Sequence, residues 1–136
     1  MDVKKIYPKY GERMQNSLHT DHRSADLRIA LLTNAYTYSA SHEFLSDISS
    51  GRVALAPTAL TSVTTTDGLL NAADYSFSGL SGSTVQRVVI YEYNASESAA
   101  RLISYTDEDS SGSMSTTPSG GTFTCSISAG IASIGG

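Results

Sequence analysis

The feature that most constrains this chain is the run VQRVVIYEY over residues 85–93. Read with a period of two, Val85, Arg87, Val89, Tyr91 and Tyr93 fall on one face, and Gln86, Val88, Ile90 and Glu92 on the other. Both faces carry apolar residues near the middle. Such a segment needs hydrogen-bonding neighbours on either side and packing above and below, so it is expected as a central strand of a sheet. Its β-branched and aromatic residues suit a pleated, buried surface.

Other segments repeat the signal at a spacing of about ten residues, with turn residues between them. LRIALL at 27–32 alternates at the front and ends in a buried-looking run. Residues 52–56 form a short strand that stops at Pro57, and 59–64 alternate and are β-branched. Asp67-Gly68 is a turn signal, 74–77 alternate again, and Gly79 and Gly82 end that run. Residues 94–98 read as a hairpin-like link to 100–105, the antiparallel partner of 85–93. The acidic, Ser-rich stretch 106–112 reads as a loop, and 114–117 as extended up to Pro118. Gly120-Gly121 leads into 122–127, and Ala129-Gly130 into 131–134. The expected class is all-β: an antiparallel β-sandwich or partly open barrel with a short N-terminal helix or arm. No internal repeat accompanies it.

Two segments depart from this pattern. Pro8 opens a possible helix over 9–18, with Met14 and Leu18 on one face at i, i+4 spacing. Residues 35–41 read as a Tyr-bearing loop, followed over 42–48 by one helical turn. Ser41 is the candidate cap for that turn, and Phe44 with Ile48 its buried edge. The domain reading is an arm over 1–25 and a β-sandwich domain over 26–136.

Charge narrows the partners. Charged residues make up 16% of the 136-residue chain, against about 25% in typical domains, and the formal net charge is -4. Clustered cations, which phosphate binding demands, are lacking over most of the chain, so nucleic acid is not expected as the partner. Lys4, Lys5, Lys9, Arg13, Arg23 and Arg28 gather at the front and suit an acidic partner subunit or a solvated terminus. No apolar run approaches the ~20 residues of a membrane helix. Met1-Asp2-Val3-Lys4-Lys5 lacks the apolar stretch of a secretory signal. Cys125 is the one cysteine, which excludes an intramolecular disulfide and suits folding in a reducing cytoplasm.

No motif rises to a catalytic or cofactor site. Cys125 has no base near it in sequence and reads as a small strand residue. His19 and His22 have a chelating spacing without a completing set, and with His42 they read as surface histidines. Asp107-Glu108-Asp109-Ser110-Ser111-Gly112 resembles the opening of a calcium loop, but its twelfth position is Pro118 where Glu is required. There is no nucleophile elbow, phosphate loop or dinucleotide fingerprint. The expectation is a non-enzyme with no cofactor and no metal. The tyrosines are more informative. Tyr7, Tyr10, Tyr36 and Tyr38 lie in arm and loop, where they serve either an interface or the core edge of a domain without Trp. Lys4, Lys5, Tyr7, Lys9, Tyr10, Arg13, Tyr36 and Tyr38 are therefore the candidate interface residues.

LRIALLTNAY at 27–36, HEFLSDI at 42–48, RVVIY at 87–91 with LISY at 102–105, and Gly130-Ile131 together resemble small structural proteins of tailed bacteriophages. The likeness spans residues 26–134 with gaps, and the front segment departs from it by being longer and more basic. It implies a virion component, assembled in the host cytoplasm, with a β-sandwich-like body. The foremost expectation is a head decoration or cement protein, trimeric, clamping neighbouring copies of the major capsid protein through its N-terminal arm. A tail, fibre or baseplate component is the second expectation. A carbohydrate-binding module using the tyrosines for stacking is the third.

Overall fold

The structure is a computed structural model that describes residues 4–7, 9, 26–64, 71–80, 82–109, 112–113, 115–128 and 131–134. Ten strands are present among them: β1 (Lys4–Ile6), β2 (Leu27–Leu32), β3 (Arg52–Leu55), β4 (Ala72–Phe77), β5 (Arg87–Asn94), β6 (Ser96–Thr106), β7 (Glu108–Asp109), β8 (Gly112–Ser113), β9 (Phe123–Ser128) and β10 (Ile131–Ile134). One 3-10 turn, η1 (Leu45–Asp47), precedes β3. Every strand pairing is antiparallel, so the expected all-β antiparallel class holds.

The main sheet has the order β1-β6-β5-β2-β3. β5 lies at its centre, as the two-faced apolar pattern requires, and Val88, Val89, Ile90 and Tyr91 are consecutively buried. β2 is its near equal, with Leu27, Ile29, Ala30, Leu31 and Leu32 all fully buried. Each large apolar side chain taken wholly from water contributes about 1.5–3 kcal/mol, so this pair of strands dominates the stability of the domain. A second sheet, β10-β9-β4, shares the same core: Phe77, Phe123 and Cys125 join the cluster built by β2, β5 and β6. β10 lies against both β5 and β6.

Hydrogen bonding explains where local propensity failed. Residues 59–64 were expected as a strand, yet only Thr64 forms a bridge, to Asn71. The segment divides its bonds: the Leu60 amide donates to Leu27 of the main sheet, while Thr61 accepts from Ala73 of the second. Ser62, at φ 54, breaks the extended run between them. The acidic stretch 106–112, expected as a loop, instead continues β6 to Thr106 and then forms the β7-β8 ribbon. The turn over 42–48 exists, but Asp47 caps it in place of Ser41. The Asp47 carboxylate accepts from the amides of Glu43 and Phe44, at 2.9 and 3.0 Å. Leu45 and Ile48 form its buried edge, and Phe44 stays half-buried. The helix expected over 9–18 and the turn at Asp67-Gly68 lie outside the described residues, apart from Lys9.

Within the N-terminal arm read over residues 1–25, β1 pairs with β6 through Lys4↔Thr106, Lys5↔Tyr105 and Ile6↔Ser104. Tyr7 then enters the core with no exposed surface, its amide donating to Ile103 at 2.9 Å. Ile103 is the extra residue of the β5-β6 bulge, where Ile90 pairs with Ser104 and Tyr91 with Leu102.

Candidate functional site

The densest group of polar aromatic side chains sits where β1, β6 and the loop after β2 meet. Tyr7 follows β1, Tyr36 and Tyr38 come from the loop, and Tyr105 projects from β6. The rings pack in tilted pairs: Tyr7 with Tyr38 and Tyr38 with Tyr105 at 5.1 Å, and Tyr36 with Tyr105 at 6.0 Å. Such pairs add about 0.5–1.5 kcal/mol each beyond burial. The hydroxyls are tied. Tyr7 and Tyr36 share a hydrogen bond of 2.7 Å, Tyr36 meets Nδ1 of His42 at 2.9 Å, and Tyr105 donates to the Asp107 carboxylate at 3.0 Å.

The loop reaches this position for a local reason. The Thr33 amide donates to Gly51 at 2.6 Å, closing the neck of the 33–51 excursion. Gly51 has φ +81, and a Cβ there would lie 2.9 Å from the Tyr36 nitrogen, so the close approach requires glycine.

The phenols are held neutral. Burial pushes Tyr36 up to about 12, with the bond from Tyr7 pulling the other way. Burial also raises Tyr7 strongly, and it raises Tyr105, where the bond to Asp107 adds to it. A phenol that resists ionisation is a poor nucleophile and a poor base at ordinary pH, so the cluster is suited to holding segments together. Cys125 fits the same picture: it is fully buried on β9, and burial, helped by Asp74, pushes its thiol up to about 12.

The predicted interface residues therefore separate. Tyr7 and Tyr36 face inward at 0% and 3% exposure and cannot offer a surface to a partner, because their rings fill the seam between β1 and the loop. Tyr38 is half-buried against Tyr7 and Tyr105. Lys4 and Lys5 lie on β1 at the margin of the main sheet, and Lys9 is half-buried just beyond it. Tyr10 and Arg13 lie outside the described residues, as do His19 and His22. His42, expected at the surface, is half-buried and bonded to Tyr36. The roles of His42, Tyr105 and Asp107 were not read from sequence; only the closeness of His42 to the Tyr-bearing loop hinted at the first.

Of the four arginines in residues 26–136, Arg28, Arg52 and Arg101 are engaged by acids of the body, whereas Arg87 donates to the Gln86 carbonyl at 3.1 Å and its buried Nε has no hydrogen-bond partner among the described residues. Arg28 holds Asp26 through two bonds of 2.8 and 2.9 Å and lies 4.1 Å over the Tyr93 ring. Arg52 meets Glu97 at 2.8 Å and also donates to the carbonyls of Ile48 and Leu45. Arg101 meets Glu43 at 2.8 Å, over Phe44. All three pairs are part-exposed, so each contributes at most about 1 kcal/mol.

A groove of about 150 Å³ lies apart from these groups, between Leu80, residues 116–119 and residues 121–123. Its lining is Leu, Thr, Pro, Ser, Gly and Phe, so it presents hydroxyls with no acid or base beside them. Among the described residues no three His, Cys, Asp or Glu side chains gather as a metal site, and no helix is long and apolar enough to cross a membrane. Ser110 and Ser111 of the calcium-like run are outside the described residues. No family model, curated protein or solved structure matches the chain.

Proposed function

We propose that this chain is a structural component of a tailed-phage virion, acting as a head decoration or cement protein that binds neighbouring major capsid subunits, as a trimer. The observation that carries this reading is the segregation of charge. Lys4, Lys5, Lys9, Arg13 and Arg23 gather in the first 25 residues, whereas residues 26–136 hold four arginines against ten acids. A basic leading segment on an otherwise acidic β domain suits docking on an acidic lattice. Binding the assembled lattice in preference to free subunits stabilises the shell by mass action, multiplied over many sites.

A tail, fibre or baseplate component is the second reading. It is favoured by the short margins of the main sheet, β1 and β3, where strand pairing with another copy builds rings. The internal position of Tyr7 and Tyr36 counts against the carbohydrate module. Gold-labelled antibody against this chain, applied to purified particles of the phage whose genome carries it, tests the assignment. Label over heads is expected. Label confined to tails favours the second reading, and particles without label sink both.

A further inference from the structure

The outer edge of β6 is covered by two separate pieces of chain. β1 pairs with Ser104, Tyr105 and Thr106, and Tyr7 continues it by donating to Ile103. Beyond that point Glu43 and Phe44 take over: the Leu102 amide donates to Glu43, and Phe44 bridges Arg101. The two pieces meet end to end without a covalent link. What joins them is the hydrogen-bonded run from Tyr7 through Tyr36 to Nδ1 of His42, the residue before Glu43.

Proton placement in that run depends on the imidazole. With His42 neutral and its proton on Nε2, Tyr7 donates to Tyr36, Tyr36 donates to Nδ1, and both buried hydroxyl protons are satisfied. An imidazolium carries a proton on Nδ1 and has no lone pair there, so it must donate to Tyr36. Tyr36 and Tyr7 then hold two hydroxyl protons with only each other's oxygens to accept them, so one of the two protons is left without an acceptor among the described residues. Tyr7 is fully buried, so water does not replace the lost partner.

We propose that the Tyr7-Tyr36-His42 run is a proton-sensitive latch: protonation of His42 loosens β1 and Tyr7 from β6 while the β2-β5 centre stays folded. The groups facing the imidazole are few. Tyr36 lies at 5.6 Å between ring centroids, Asp47 of η1 interacts through its charge, and Tyr105 of β6 and Tyr7 stand behind Tyr36. Asp47 is anchored by the amides of Glu43 and Phe44, and the neighbouring Glu43 side chain is engaged by Arg101. The latch stands independently of the virion reading.

Hydrogen exchange on the full chain tests it, with rates at about pH 7.5 and about pH 5, corrected for intrinsic exchange. In the wild type, protection of the Tyr7 amide falls about tenfold at the lower pH, the effect of one lost buried hydrogen bond. Protection of the Val89 and Ile90 amides changes little. His42→Asn, whose side-chain oxygen accepts from Tyr36 at either pH, keeps Tyr7 protected at both. Equal Tyr7 protection at both pH values in the wild type overturns the latch. So does parallel loss at Val89, or a pH response that survives in His42→Asn. If that variant does not fold, the wild-type comparison of Tyr7 with Val89 decides alone.

Discussion

Replacing Tyr7 by Ala separates a detachable arm from an integral strand. Tyr7 has no exposed surface, its ring packs on Tyr38 at 5.1 Å, and its hydroxyl bonds Tyr36 at 2.7 Å. Truncating a fully buried aromatic costs about 3–5 kcal/mol through lost transfer energy and the cavity left behind. A single domain is stable by only about 5–15 kcal/mol, so the loss is a large share of the total. At about 3–4 °C per kcal/mol for a chain of this length, the melting temperature falls by about 9–20 °C. Tyr7→Phe keeps the ring and loses only the hydroxyl, costing about 1 kcal/mol. Urea unfolding followed by far-UV circular dichroism measures both. A Tyr7→Ala variant within about 1 kcal/mol of the wild type would refute the placement of residues 4–7 in the body. The same reasoning makes deletion of residues 1–20 a poor test of docking, since it removes β1 and a core side chain along with the cations.

High pH provides a second test. Tyr36 and Tyr91 are pushed up to about 12 by burial, against about 10 in an unfolded chain. Between those values the folded state keeps protons that the unfolded state has released, so this stability is fully present below about pH 10 and is lost as pH rises through about 12. Denaturant unfolding at stepped pH, paired with tyrosinate absorbance, measures it; phenols that all ionise near pH 10 in a still-folded protein contradict the buried cluster. Cys125, fully buried and pushed up to about 12, is expected to stay unreactive to a thiol reagent until the protein unfolds, and then to react once per chain. Prompt labelling of the native protein contradicts its position. Gly51→Ala places a Cβ 2.9 Å from the Tyr36 nitrogen at φ +81, with an expected cost of about 1–3 kcal/mol in the same urea assay; an unchanged midpoint contradicts the closed neck of the loop.

The centre of the fold was legible because hydrophobic period is a local signal. Residues 27–32 coincide with β2, and the two-faced run at 85–93 overlaps β5 in the middle of the sheet. The misread segments are those whose hydrogen bonds go to distant partners. Residues 59–64 have strand composition, but their partners lie in two different sheets, which alternation does not encode. The tyrosines at 7, 36 and 38 gave an ambiguous signal because an interface and a core edge call for the same side chain; burial resolves it for Tyr7 and Tyr36. His42 carried no signal of its own, since its partner Tyr36 is fixed by the closed loop and Tyr7 arrives from β1.

The central proposal, a lattice-binding virion protein, is tested most directly by sedimenting the purified chain with mature phage particles and empty heads, over a range of salt concentrations. The account predicts saturable binding to heads that weakens with salt and drops sharply in an Arg13→Glu, Arg23→Glu variant that still folds. Failure to bind heads at any salt, with self-associated species in solution, would contradict the cement reading and favour a tail component.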